Sequence, residues 1–374
     1  MVASTRRKAL FACMGVLIAF AVVIAACEAG LRVYHRVTAE RRPAVTAEIV
    51  LDEELGWRAT ENYSFQGDLQ DRDGHWYRAD VRTDSRGFRA FGDPSSDGCK
   101  ILFLGDSFTH AIQVSADDAY YSLVGRALDC DVFAYGVGGY GTLQELMVLR
   151  RHLALVSPDV VVLQLCSNDL INNHSGLERA SLWNNNGLVR PYWENGHVVY
   201  RLARSFPGLR RFASQSSEFL YFVFSRLDRI AAGNENRTSV EALIAEVGTE
   251  LPDFAESVAV TGQLLSMVRQ AIPPDVPIVT FCGDDPEPQL GSLKSSSKRA
   301  GLIFVDGVPA ALRKAEERGI CTKAADGGHW SPDGHQAVAG SLVAALIRNT
   351  PINLNRQAPL ELWTEGDPPS DQPR

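Results

Sequence analysis

Short apolar runs recur through the middle of the chain, at residues 101–104, 132–134, 160–165, 278–281 and 302–305. They are rich in β-branched, leucine and aromatic side chains and show little polar alternation, the pattern of strands buried on both faces. Between them, apolar residues recur at helical spacing over 119–128, 143–155, 257–271 and 308–318, and again from about 334 to 348. Strand and helix in alternation predict an α/β domain over residues 99–348, with a central parallel sheet and right-handed crossovers.

The pattern changes at both ends and twice between them. Residues 9–26 carry no charged side chain and follow Arg6-Arg7-Lys8. As a helix they would span roughly 27 Å, close to a bilayer's hydrocarbon thickness. Residues 1–36 therefore read as a signal anchor. Arg32, Arg36, Arg41 and Arg42 lie on the far side, so flanking charge does not fix the orientation. Ile24-Ala25-Ala26 before Cys27 leaves a lipoprotein cleavage site as the alternative, and either reading places the rest outside the cytoplasm. Residues 37–98 form a polar lead-in, expected as loops and a few strands packed on the main domain. It holds Leu55-Gly56-Trp57-Arg58 and two arginines, Arg86 and Arg89, that are either anion ligands or solvated. Residues 171–251, with Asn and aromatic clusters, read as a mostly helical insertion, either a substrate wall or a packing elaboration. The proline-punctuated residues 349–374 are expected to be disordered.

Composition narrows the function. A net charge of −8 with no clustered basic face argues against nucleic acid as a partner. No cysteine spacing suggests a zinc site, and the chemistry below calls for no cofactor. Cys99 and Cys130 each precede a predicted strand and are candidates for a disulfide, as are Cys282 and Cys321.

Four polar blocks follow predicted elements. The first strand ends in Gly105-Asp106-Ser107, where a serine would stand at the start of the next helix. Taken alone this reads first as an ordinary turn and N-cap, and the rest of the chain shifts the reading. The second strand runs into a loop with Gly136, Gly138, Gly139 and Gly141, and the third into Cys166-Ser167-Asn168-Asp169. Beyond the fifth strand and its helix comes Asp326-Gly327-Gly328-His329-Trp330. Serine attack on an ester needs an imidazole base, a carboxylate to orient it, and donors for the oxyanion. Ser107, His329 and Asp326 supply the triad; the N–H groups of Ser107 and Gly139 and the Asn168 amide supply the hole. Asp333 and His335 form a rival acid–imidazole pair, better read as the start of the last helix with a half-buried imidazole. His110 is read as structural or rim, Cys166 as a buried thiol, and Trp330 as pocket wall or core.

In order and spacing these blocks resemble those of the SGNH hydrolases, the GDSL-type esterases and lipases, from Lys100 to about Ile347. Ala134 stands where that family usually has Asn, and Phe108 replaces the leucine after Gly-Asp-Ser; neither position carries a reacting atom. The resemblance implies a flavodoxin-like three-layer sandwich and an acyl-enzyme on Ser107. Together with the N-terminal anchor, it implies an extracytoplasmic esterase acting on an acylated small molecule or glycan, acetyl esters of a saccharide being preferred. Two alternatives stay open: an O-acetyltransferase for envelope polysaccharide, and a non-catalytic glycan-binding or assembly protein.

Overall fold

The computed structural model describes residues 2–37, 48–181, 184, 188–202, 217–220, 222–223 and 239–352. The tail beyond 352 and much of the insertion, including Trp183, lie outside the described residues. The chain begins with α1 (Val2–Val37) and continues into a lead-in of β1 (Ile49–Asp52), β2 (Gly56–Ala59), β3 (Ser64–Gln70), β4 (Trp76–Arg82) and β5 (Ala90–Phe91). The main domain opens with β6 (Lys100–Gly105), α2 (Ser107–His110), α3 (Tyr120–Leu128), β7 (Asp131–Gly136), α4 (Thr142–Val156) and β8 (Val160–Leu165). Next come α5 (Asp169–Asn172), α6 (Ser175–Ala180), β9 (Val189–Glu194), β10 (His197–Leu202) and α7 (Val240–Val247). The chain closes through α8 (Pro252–Ala271), β11 (Ile278–Cys282), α9 (Gln289–Arg299), β12 (Ile303–Val305), α10 (Val308–Glu317) and α11 (Pro332–Asn349).

The central sheet has the order β12-β11-β8-β6-β7-β5. Its first five strands are parallel, and in chain order they stand second-first-third-fourth-fifth, the flavodoxin-like arrangement. The expectation of a purely parallel sheet needs one correction. β5, from the lead-in, pairs antiparallel with β7 through Ala90↔Ala134 and Phe91↔Phe133, so the sheet is mixed. Two residues suffice to occupy part of an edge that would otherwise leave backbone groups unpaired.

Strand side chains alternate between faces, and the alternation builds two cores. Leu102 and Leu104 of β6 join Leu146 and Leu149 of α4, Leu264 of α8 and Leu293 of α9. Ile101 and Phe103 point the other way, to Val124 of α3, Leu312 of α10 and Leu342 of α11. Helices thus cover both faces of the sheet, giving three layers. Sequence patterning missed α9, a serine-rich segment whose apolar content is the pair Leu290 and Leu293, set three apart on its inward side.

Within the described residues of the insertion, a hairpin stands beside the helices α5, α6 and α7. β9 and β10 form a hairpin, Val189↔Leu202 through Glu194↔His197. Its two-residue turn is Asn195-Gly196, both with positive φ (52° and 82°), which is the backbone that an Asn-Gly pair accepts and most residues resist. Arg89, expected to bind an anion or lie in solvent, is buried and donates to the carbonyls of Arg82, Ala111 and Val114 at 2.6, 3.1 and 2.9 Å. Arg86 instead covers the Phe91 ring at 4.8 Å. Residues 9–26 lie within α1, where the side chains of 2–13, 16 and 17 are outside the described set. Among the described residues no helix is long and apolar enough to cross a membrane.

Cys99 and Cys130 are disulfide-bonded. They immediately precede the paired residues Lys100 and Asp131, so the parallel register of β6 and β7 brings them together. The second expected pair does not form: Cys282 donates to Asp284 Oδ1 at 2.8 Å and Cys321 to the Lys323 carbonyl at 3.4 Å, both as buried free thiols. The Cys99–Cys130 bridge closes a loop with a sequence separation of 31. A Cys99→Ser/Cys130→Ser variant is therefore expected to lose roughly 3–4 kcal/mol of stability in urea unfolding under oxidising conditions. An unchanged midpoint would show that this loop is held by packing alone.

Candidate active site

The apolar run of β6 stops at Gly105, and the chain turns at once into α2. Asp106 caps the turn by accepting the Phe108 N–H at 3.0 Å, which leaves Ser107 as the first helical residue. Gln164 of β8 binds the same turn to the neighbouring strand, its Oε1 accepting Asp106 N–H at 3.1 Å and Thr109 Oγ1–H at 3.0 Å. Ser107 is thereby fixed at the carboxyl edge of β6, beside β8. That is the point at which strand order reverses, where open α/β sheets bind their ligands.

Asp326 and His329 sit on the loop before α11. His329 Nδ1 donates to Asp326 Oδ2 at 2.7 Å, while Asp326 Oδ1 accepts the N–H groups of Gly328 and His329 at 3.0 and 2.9 Å. With Nδ1 committed to the carboxylate, Nε2 is the ring's basic atom. Phe108, the residue after Ser107, seats this loop: its ring centre lies 5.3 Å from that of His329 and 4.3 Å from that of Trp330. Among the described residues no hydrogen bond yet joins Ser107 Oγ to the imidazole. Catalytic hydrogen bonds often tighten only when substrate is present.

The glycine loop after β7 reaches the same place. A Cβ built on Gly138 would lie 3.9 Å from the Cβ of Ser107. Asn168, at the carboxyl end of β8, donates from Nδ2 to Asn172 Oδ1 at 2.9 Å, and Asn172 donates to the Asn184 carbonyl at 2.8 Å. Among the described residues the second amide hydrogen of Asn168 has no acceptor. Ser167 is held away by Asp284, whose carboxylate accepts both its N–H and its hydroxyl. The structure thus brings Ser107, Gly139, Asn168, Asp326 and His329 to one edge of one sheet.

Several contributors were not legible in the sequence. Gln113 donates to Asp326 Oδ2 at 3.2 Å, and its own carbonyl accepts Tyr77 Oη–H at 3.0 Å. The β3–β4 hairpin pins the acid–imidazole loop from outside: Arg72 N–H donates to the Lys323 carbonyl at 2.9 Å and Ala325 N–H to that of Gln70 at 3.0 Å. Trp57 and Arg190 reach the glycine loop, as described below. Nothing in their local sequence marks them, because each acts across a separation of tens to hundreds of residues.

Electrostatics separate the carboxylates into two groups. Burial alone would raise Asp326, but the bonds and charge of His329 with the two backbone N–H groups outweigh it and hold the carboxyl well below the usual range. Burial pushes Asp106 up to about 6. Asp169 and Glu145 are raised well above their ordinary values by burial and then by neighbouring carboxylates. The acid that faces the imidazole stays charged, whereas the fully buried acids resist ionisation.

The remaining candidates have other roles. His335 is buried, and its Nδ1 accepts the Tyr120 N–H at 3.2 Å. His110, Cys166 and Trp330 are also buried, so Trp330 is core, and His110 Nε2 has no partner among the described residues.

A flavodoxin-like sheet with an acid–imidazole pair and an edge serine defines a hydrolase class. The family model described as GDSL-like Lipase/Acylhydrolase matches residues 103–337, and the chain belongs to this family of SGNH-type hydrolases. No curated protein matches it. Among solved structures, similarity extends to the lipase/acylhydrolase from Enterococcus faecalis, with 15% identity, a TM-score of 0.38, and coverage of 68% of this chain and 98% of that one. TesA gives 14%, 0.37, 66% and 97%, in the same order. A catalytic mutant of an acetylxylan esterase from Geobacillus stearothermophilus gives 14%, 0.35, 67% and 95%. The family assignment rests on the sequence match.

Burial, reinforced by the charges of Arg89 and His329, pushes the His335 imidazole from 6.5 down to about 3. As pH falls below about 6.5 the unfolded chain gains a proton there that the folded chain refuses, so stability is complete above this window and is lost through it. Urea-unfolding free energy of His335→Gln should therefore fall less steeply than that of the parent between about pH 6 and pH 4, by up to about 1.4 kcal/mol per pH unit. Parallel slopes would contradict a neutral buried ring.

Proposed function

We propose that this hydrolase is a membrane-tethered, extracytoplasmic serine esterase that cleaves carboxylic esters, foremost acetyl esters on a saccharide, through an acyl-enzyme on Ser107. The observation that carries the reading is the 2.7 Å Asp326–His329 pair seated on the residue next to Ser107. His329 Nε2 takes the Ser107 proton as Oγ attacks the carbonyl carbon. The resulting oxyanion is met by the N–H groups of Ser107 and Gly139 and by the Asn168 amide. Collapse expels the alcohol, which takes the proton back from His329; water then repeats the sequence and releases the acid. Asp326 remains ionised throughout and stabilises the imidazolium, in keeping with its depressed titration.

The tether is supported by the uncharged run 9–26 and by Met14, Ile18, Phe20, Val22 and Val23, which α1 leaves exposed. Exposed apolar side chains over several turns need an apolar partner, and a bilayer is the partner an N-terminal segment of this length fits. The acetyl and saccharide preference rests on family membership and this address.

Ser107→Ala is expected to lower turnover of an activated acetyl ester by about 10⁴-fold or more, with folding unchanged. Products followed by mass spectrometry, with and without acetyl-free glycan, should show free acetate only with the parent enzyme. Acetyl appearing on the glycan would replace hydrolysis by transfer, and a folded parent with no Ser107-dependent product would end the reading. Asn168→Ala should lower kcat by about 10²–10³-fold with KM little changed, because its amide acts chiefly on the oxyanion. An effect confined to KM would remove it from that role.

A further inference from the structure

We propose that Trp57, from the lead-in, and Arg190, from the insertion, are positioning residues that together aim the Gly139 N–H at the reacting carbonyl. This rests on the reading of Gly139 as an oxyanion donor.

The peptide joining Gly138 to Gly139 is a planar trans unit, so its C=O and N–H point in opposite directions. Trp57 Nε1 donates to the Gly138 carbonyl at 3.1 Å. That bond draws the oxygen outward and directs the Gly139 N–H away from the indole. Ser107 adjoins this loop, its Cβ 3.9 Å from where a Cβ on Gly138 would stand. The following peptide is held as well, since Arg190 Nη2 donates to the Gly139 carbonyl at 2.7 Å. Both peptide planes adjoining Gly139 are thus gripped from outside the loop by side-chain donors on different segments.

The two gripping side chains are themselves fixed. The Arg190 guanidinium lies over the Trp57 ring at 4.7 Å, a cation–π contact. Its Nη1 donates to Gln144 Oε1 at 2.5 Å, and its Nε lies 2.5 Å from Glu178 Oε2, with the side chains of Arg190 and Glu178 only 1% and 0% exposed. Tyr192 Oη donates to the same Glu178 oxygen at 2.6 Å, and Tyr140 Oη to the Trp57 carbonyl at 2.6 Å. Backbone fit demands it too. Gly56 has φ +81°, and a Cβ there would meet the Val189 carbonyl oxygen at 2.1 Å, so only glycine lets β2 lie this close to β9. A buried ion pair is a poor source of net stability, because desolvation offsets its attraction. Two guanidinium hydrogen bonds to acceptors on different segments, with the ion pair to Glu178, instead fix an orientation.

The test uses the full chain. Trp57→Phe keeps an aromatic ring and deletes the donor. Expected are a kcat lowered by about 10- to 100-fold, KM within about twofold, and weaker binding of a boronic acid by the factor lost in kcat/KM. The boronate is chosen because it forms a tetrahedral adduct on serine. A purely structural role would lower the melting temperature and the active fraction, leaving boronate affinity of the folded protein unchanged; that result overturns the proposal. Arg190→Lys, which keeps a charge beside Glu178 but cannot also bond both Gln144 and the Gly139 carbonyl, is expected to show the same split, and it decides the matter should Trp57→Phe not fold. Ser107→Ala assayed in parallel separates the two readings. An inactive Ser107→Ala beside fully active Trp57→Phe and Arg190→Lys defeats only the positioning role, whereas an active Ser107→Ala defeats the serine mechanism itself.

Discussion

The candidate catalytic groups stand on loops and a helix start at the carboxyl edge of one largely parallel sheet, and the sheet's own ladder cannot fix that edge. Its ladder hydrogen bonds end where the strands end. Accuracy at the edge must come from bonds made by other segments. Here they come from two sides. The β3–β4 hairpin pairs with residues 323–325 and, through Tyr77 and Gln113, reaches Asp326. The β9–β10 hairpin and β2 grip the glycine loop through Arg190 and Trp57. Segments outside the three-layer sandwich thus determine how its edge loops sit.

Charge follows the same division. Asp326 collects an imidazole, two backbone N–H groups and an amide, so ionisation is favoured despite burial. Asp169 and Glu145 face one another's influence in the interior, where two ionised carboxylates would repel at low dielectric. Asp169 has Thr142 and the Cys166 N–H as its bonded partners.

The antiparallel edge strand of the sheet and the hairpin in the insertion were both missed for local reasons. β5 is two residues long, too short for any periodicity to register, and it exists because β7 offers it an edge. The insertion's hairpin did leave a local trace in Asn195-Gly196 between alternating strands, but its aromatic and Asn clusters dominate the composition there. Arg89 is the opposite case: its charge suggests solvent, yet three carbonyls at the end of α2 and nearby turns compensate its burial.

What the sequence determined by itself was whatever depends on residues close together along the chain. That includes the five buried strands, the helices between them other than α9, the Gly105-Asp106-Ser107 turn and the three-residue step from Asp326 to His329. The Cys99–Cys130 bridge was within reach too, because paired strands carry the residues before them into register. Tertiary structure alone decided which distant side chains steady those groups: Gln113 on Asp326 across 213 residues, Trp57 on Gly138 across 81, and Arg190 on Gly139 across 51. A hydrogen bond between side chain and backbone requires only that two atoms meet at the right distance and angle, and it imposes no periodicity on the sequence that supplies them.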